Sequence, residues 1–176
     1  MGGLIGTGSV LDRGRSQPDL LILSAPGLDA DLPEWKRVMA RALRHVLPKM
    51  GIPNCPPIGG RAADPSIDLA VAADPPSISD STVKFGAAGF DEQLRVRALL
   101  ADMTEMPAPM SVPHGSEDPI VPVRTTEVFA QMGGVTRRVH PGLRQERHYD
   151  LLHADVLAEV VAWLDGQLTG RMPATV

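Results

Sequence analysis

The segment Leu20-Leu21-Ile22-Leu23 is apolar throughout and closed on both sides, by Pro18-Asp19 before it and Ser24-Ala25-Pro26 after it. A continuous apolar run bounded by turn residues suits a strand buried on both faces of a parallel sheet. Met110-Ser111-Val112-Pro113 reads as a second core strand, and Val135 to His140, which alternates in character, as a third. Helical patterns separate these strands. Such alternation is the signature of an α/β layer architecture.

The first helix candidate runs from Gly2 to Leu11 and is weakened by its glycines. Asp31 is placed to cap a second helix, with Pro33 in its first turn and Pro48 and Gly51 as its stop. Trp35, Met39, Ala42, Leu43 and Val46 recur at helical spacing as its apolar stripe. Lys36, Arg37, Arg41 and Arg44 take the other side, which reads as a solvated face or, more sharply, as a face meeting anionic lipid. Residues 48 to 86 lack periodicity and carry the turn signals Asp64-Pro65 and Asp74-Pro75-Pro76. Helical patterns return at Asp91–Asp102, with Leu94, Ala98, Leu99 and Ala101 apolar, and at about Thr126–Met132, closed by Gly133. The last helix carries Val156, Leu157, Val160, Val161 and Leu164 as one stripe with Trp163 alongside.

Composition narrows the function classes. With 176 residues, 43% of them hydrophobic and 22% charged, the chain suits one globular domain. Aromatics are only 3%, and many of the 17 prolines lie between Pro48 and Pro76, so that stretch should be loop-rich. A net charge of −4 and a pI of 5.7 give no reason to expect nucleic acid. The single Cys55 excludes an internal disulfide framework and a cysteine metal cluster. No apolar run approaches the roughly 18 residues of a membrane span. No secretion signal is visible, so the expectation is a soluble cytoplasmic protein, although a truncated start would have removed any leader.

Four stretches, in order, carry a resemblance. They are Met1-Gly2-Gly3-Leu4-Ile5, Leu23-Ser24-Ala25-Pro26, the loop H-G-S-E-D-P-I-V-P from His114, and Pro141-Gly142-Leu143 followed by V-L-A-E-V-V-A-W-L from Val156. Together they resemble the C-terminal part of the α/β-hydrolases of the monoacylglycerol lipase and lysophospholipase-like, serine aminopeptidase-type branch. The start looks like the second half of a G-x-S-x-G nucleophile elbow, beginning one residue after the serine. The resemblance implies a mostly parallel sheet in which Leu20 to Leu23 form strand six, and 110–113 and 135–140 form strands seven and eight. Residues 1–26 and 107–176 would be partial core. Residues 27–106 would be a helical cap over an acyl-binding pocket. Strands one to five have no counterpart, which would leave strand six with a bare edge and the chain prone to aggregation.

The resemblance also assigns positions. Asp118 matches the triad acid, against the simpler reading of a loop aspartate turning before Pro119; Glu117 is adjacent but off the motif spacing. The histidine position, two residues after P-G-L, is Gln145, and Val156 follows it at the distance the family keeps between histidine and helix. A glutamine amide donates and accepts hydrogen bonds but is not a general base near neutral pH. His148 is the nearest substitute base, one helical turn on; His153 falls on the outside of the last helix. His114 reads as structural, and His45 and His140 have no nameable partner. The residue after the nucleophile, which supplies an oxyanion-hole N–H, is Met1, and no serine precedes it. Ser116 lies in the acid loop, outside any elbow. No H-E-x-x-H, phosphate loop or dinucleotide glycine pattern occurs, so neither a metal nor a cofactor is expected. Pro113 in a central strand would remove a ladder hydrogen bond.

The expected function is that of a truncated serine hydrolase of monoacylglycerol or lysophospholipid-type esters, inactive alone. The alternative is a non-catalytic remnant that binds lipid or a partner through its cap, with peripheral membrane contact through the same element. A misassigned start is the third reading.

Overall fold

In the computed structural model, which describes residues 1–12, 14, 16–53, 60–62, 64–74, 80–146 and 153–170, three parallel strands form the sheet. The chain runs α1 (Gly2–Leu11), β1 (Leu21–Ile22), α2 (Glu34–Val46), β2 (Gly51–Pro53), α3 (Pro65–Ala73), β3 (Asp80–Thr82), α4 (Val83–Ala101) and β4 (Glu105–Gly115). A 3-10 helix (Val123–Phe129), β5 (Gly133–His140) and α5 (His153–Thr169) complete it. The strand order is β1-β4-β5, with Leu21 opposite Met110 and Met110 opposite Val135.

Alternation across β4 decides the layers. Met110 and Val112 point into the core with Leu4 and Val10 of α1, Leu23, Val96 and Leu100 of α4, and Phe129. Ser111 and Pro113 point the other way, toward α5, whose Trp163 donates its indole N–H to the Thr136 hydroxyl at 3.1 Å. β1 is shorter than its apolar run, but the parallel contact continues past it. The Leu23 N–H donates to Ser111 O at 2.9 Å and the Ala25 N–H to Pro113 O at 3.1 Å. Because Pro113 accepts on the β1 side, its missing N–H falls where that short ladder is ending, and β4 passes through it unbroken.

Several sequence expectations are corrected. Asp31 does not cap α2; Pro33 holds that position without a side-chain cap, and Asp31 pairs with Arg124 at 2.8 Å. α4 begins at Val83, with Thr82 capping the Phe85 N–H at 3.2 Å, and buries Val83, Ala87, Val96 and Leu100 while Leu94 and Leu99 stay exposed. The helix expected at 126–132 is the 3-10 turn, and Gly133 opens β5. In the proline-rich stretch β2 and β3 pair antiparallel, with α3 between them. Asp64 caps α3 by accepting from the Ser66 N–H at 2.9 Å, which lowers its own pKa. Val156 is the one buried side chain among the described residues of α5. Cys55, Pro75 and Pro76 lie outside the described residues.

The largest correction concerns α2, which lies with its charged side inward. Arg37 is 8% exposed and donates to Asp29 at 2.7 Å and to Ala30 O, whereas Trp35 is 61% exposed. Arg41 bonds Asp91 of α4 at 2.7 Å and Arg44 contacts the same carboxylate, so hydrogen bonds from both hold the Asp91 pKa below its usual value. Hydrophobic spacing locates a stripe but not which side of the helix meets protein. Arg37→Ala should therefore cost about 2–3 kcal/mol by leaving Asp29 and a backbone carbonyl short of a donor. Trp35→Ala should stay within about 0.5 kcal/mol. Urea midpoints compare the two, and the opposite order would restore the sequence-based orientation.

Candidate active site

The parallel strands deliver their loops to one end of the sheet, the end where α/β folds build sites. β4 stops at Gly115 because the chain returning from β5 crosses directly over it. A Cβ there would lie 2.2 Å from Leu143 O and 2.6 Å from Arg144 O. Three further bonds weld the two loops together. The Ser116 N–H donates to His140 O (3.0 Å), the Glu117 N–H to Leu143 O (3.0 Å), and the Gly142 N–H to the Ser116 hydroxyl (2.9 Å).

Asp118 sits inside this weld with its carboxylate wholly buried. Oδ1 accepts from the N–H groups of Ile120 and Val121, both at 2.8 Å, which is the turn-forming role expected of an aspartate before Pro119. Gln145 lies against the same carboxylate. With its amide nitrogen turned to the acid, it donates to Oδ1 at 3.2 Å and approaches Oδ2 more closely. His114 is fully buried beneath, its Nε2 2.8 Å from Val121 O and 3.6 Å from Asp118 Oδ2, its Nδ1 3.0 Å from the Thr126 hydroxyl. It fastens the acid loop to the 3-10 helix.

Among the described residues, the remaining candidates make other contacts. His148 lies outside the described residues, and His153 stands exposed at the start of α5. His45 contacts Arg44 on α2. His140 faces Glu159 at 3.6 Å in a cleft of about 260 Å³ beneath α5. Among the described residues, no cluster of histidine, cysteine and acidic side chains could hold a metal ion.

Met1 precedes α1, and its carbonyl accepts from the Leu4 and Ile5 N–H groups at 3.0 and 3.2 Å. α1 reaches this end of the sheet because Gly3 rides on Pro26, where a Cβ would come within 2.7 Å of the proline Cα. The Met1 side chain forms part of a cavity of about 720 Å³ that α2, α4 and the β2–β3 pair enclose. Leu32, Met39, Leu43, Met50, Phe85 and Phe90 make that lining apolar. The insert is also tied to the loop after β5, since the Glu146 N–H donates to Arg61 O at 2.7 Å and the Arg144 guanidinium to Ala62 O at 3.2 Å. Sequence reasoning missed Phe85 and Phe90, which lie in the unrecognised first half of α4.

The profile of the serine aminopeptidase, S33, family matches residues 1–151. The chain belongs to that family. Among solved structures, this S33 member superposes on the Paleococcus ferrophilus monoacylglycerol lipase with a TM-score of 0.82 at 19% identity, over 94% of this chain and 65% of that one. A soluble variant of the Saccharomyces cerevisiae monoglyceride lipase in complex with a substrate analogue gives 0.77 at 15%, over 94% and 59%. A thermophilic esterase from Thermogutta terrifontis gives 0.53 at 16%, over 94% and 62%. Comparison with curated proteins gives no match. The S33 chain thus spans 65% and 59% of the length of these two lipases. Its fold is the C-terminal part of an α/β-hydrolase, strands six to eight of the sheet with a helical cap insertion. No helix among its described residues is long and apolar enough to cross a membrane.

Proposed function

We propose that this chain holds a monoacylglycerol- or lysophospholipid-type ligand beneath its cap and does not hydrolyse it. The observation that carries the reading is Gln145 on the buried carboxylate of Asp118. Asp118 occupies the family's acid position, Gln145 its histidine position, and Met1 the position whose backbone lies at the oxyanion hole. In a serine hydrolase the acid orients an imidazole that takes the nucleophile's proton. Here the acid orients an amide, which has no lone pair basic enough for that transfer. The pair is a hydrogen-bonded lock, and this holds whatever supplies the nucleophile.

The apolar cavity, with Met1 at its wall, supports the binding half of the reading. A monoacylglycerol bearing a fluorescent acyl chain should bind the protein, and Phe90→Asp should weaken that binding by about tenfold or more, because it puts a charge in the acyl path. Saturable binding untouched by Phe90→Asp would sink the assignment of this cavity.

A second reading concerns membrane contact through the cap. The arginines once suited to anionic lipid are turned inward, but Trp35, Val38 and Val46 are exposed on α2, with the Lys36 ammonium 5.6 Å from the Trp35 ring. An aromatic and a lysine on one exposed apolar face suit the interfacial layer of a bilayer. Liposome flotation of the protein and of Trp35→Ala separates this contact from ligand binding in the cavity.

A further inference from the structure

Gln93 of α4 stands in the wall of the apolar cavity beneath the cap. Its side-chain nitrogen donates to Gly27 O at 2.9 Å, and that bond decides which end of the amide is nitrogen and which is oxygen. The oxygen, Oε1, is shut off from solvent and meets no donor among the described residues. An acceptor buried in that state keeps the cost of its lost hydration. An amide oxygen can only accept, so only a hydrogen-bond donor relieves it.

The place of Gln93 along the cavity is set by its neighbours. It lies one helical turn beyond Gly89 on the same side of α4, and there the Met1 side chain rests: a Cβ on Gly89 would come to 3.0 Å from Met1 Cε. Gly27, its bonding partner, follows the Pro26 on which Gly3 of α1 rides. Gln93 therefore marks the end of the cavity nearest the sheet. The other end lies about 12 Å away along α4, where Phe85, Met50 and Ile52 line it and the Val83 N–H bonds Met50 O. One end offers an unsatisfied acceptor and the other offers hydrocarbon.

We propose that Gln93 reads the head group of the bound lipid, its Oε1 accepting from a free hydroxyl next to the ester while the acyl chain runs along α4 toward Phe85. The inference rests on the ligand reading of this cavity and narrows it to acyl esters that carry a hydroxyl donor. The terminal torsion of a glutamine is broad, so a small turn of the amide brings the oxygen to an incoming hydroxyl. A methyl ester has no donor to give and leaves Oε1 as it is. A free fatty acid, ionised at neutral pH, brings only further acceptors. Sites built to bond a hydroxyl discriminate against the analogue that lacks it, because the buried partner then stays unpaired.

Three ligands with one and the same fluorescent acyl chain test this on the purified protein: the 1-monoacylglycerol, its 2,3-dimethyl ether and the methyl ester. The monoacylglycerol should bind about tenfold or more tighter than either of the others. Gln93→Leu should bring it down to their level and leave methyl ester binding unchanged, which also reports that the cavity of the variant is intact. Gln93→Met, unbranched like glutamine, should do the same. Equal affinities for the three ligands in the unaltered protein overturn the assignment of Gln93 while the cavity remains a lipid site. A preference that survives both substitutions overturns it as well. Failure of all three ligands to bind overturns the ligand reading itself, and this inference with it.

Discussion

Gln145→His should raise ester hydrolysis by about three or more orders of magnitude in a chimera that joins this chain to a nucleophile-bearing half, since loss of one triad member costs about six orders in the best-studied case. The chimera with Gln145 retained should stay near background. The reasoning is geometric. The Asp118 carboxylate is buried, held by two backbone N–H groups, and already aimed at the side chain of residue 145. An imidazole placed there meets a ready-made acid partner, and no other change to the acid loop is needed. Burial of Asp118 beside His114 keeps the new ion pair out of solvent, where such pairs act most strongly. A rise abolished by Asp118→Asn would identify the acid. No rise at all would mean that residue 145 does not stand where the family keeps its histidine.

Gly115→Ala should be among the most destabilising single substitutions in the chain, at about 3 kcal/mol or more. The added Cβ would sit 2.2 Å from Leu143 O, and that obstacle is backbone, so no rotamer change relieves it. The loop must lift, which breaks the Glu117 N–H bond to Leu143 O and draws Gln145 away from Asp118. Gly142→Ala is the control. Gly142 has φ of +74° with open space around its Cβ position, so the cost there is only the strain of a left-handed residue, about 1–2 kcal/mol. Guanidinium midpoints compare the two. Equal costs would show that the loop closure over β4 is loose.

The strands were legible in part because their signals are local. The run Leu20–Leu23, the bounds of α1, and β5 with its turn at Pro141-Gly142 all depend on residues within one element. Asp118 and Gln145 face each other because the chain after Pro141-Gly142-Leu143 crosses back over Gly115. The cap was not legible. Arg37, Arg41 and Arg44 are inward because Asp29, in the loop before α2, and Asp91, far along the chain on α4, accept their hydrogen bonds. Spacing within α2 carries no trace of those partners. β4 was read as four residues because Pro107 and Pro109 mask its first half, which holds an irregular register between Glu105 and Met110. The early start of α4 was hidden by Gly86 and Gly89, weak helix formers kept beside the cavity.

A single mass-spectrometric experiment tests the central claim most directly. The protein is incubated with a monoacylglycerol, gel-filtered, and both bound lipid and free fatty acid are measured. The account predicts intact monoacylglycerol co-eluting with the protein and fatty acid no higher than in a protein-free control. Fatty acid that accumulates with time and disappears in Asp118→Ala would contradict it, because turnover would then run through the acid despite Gln145.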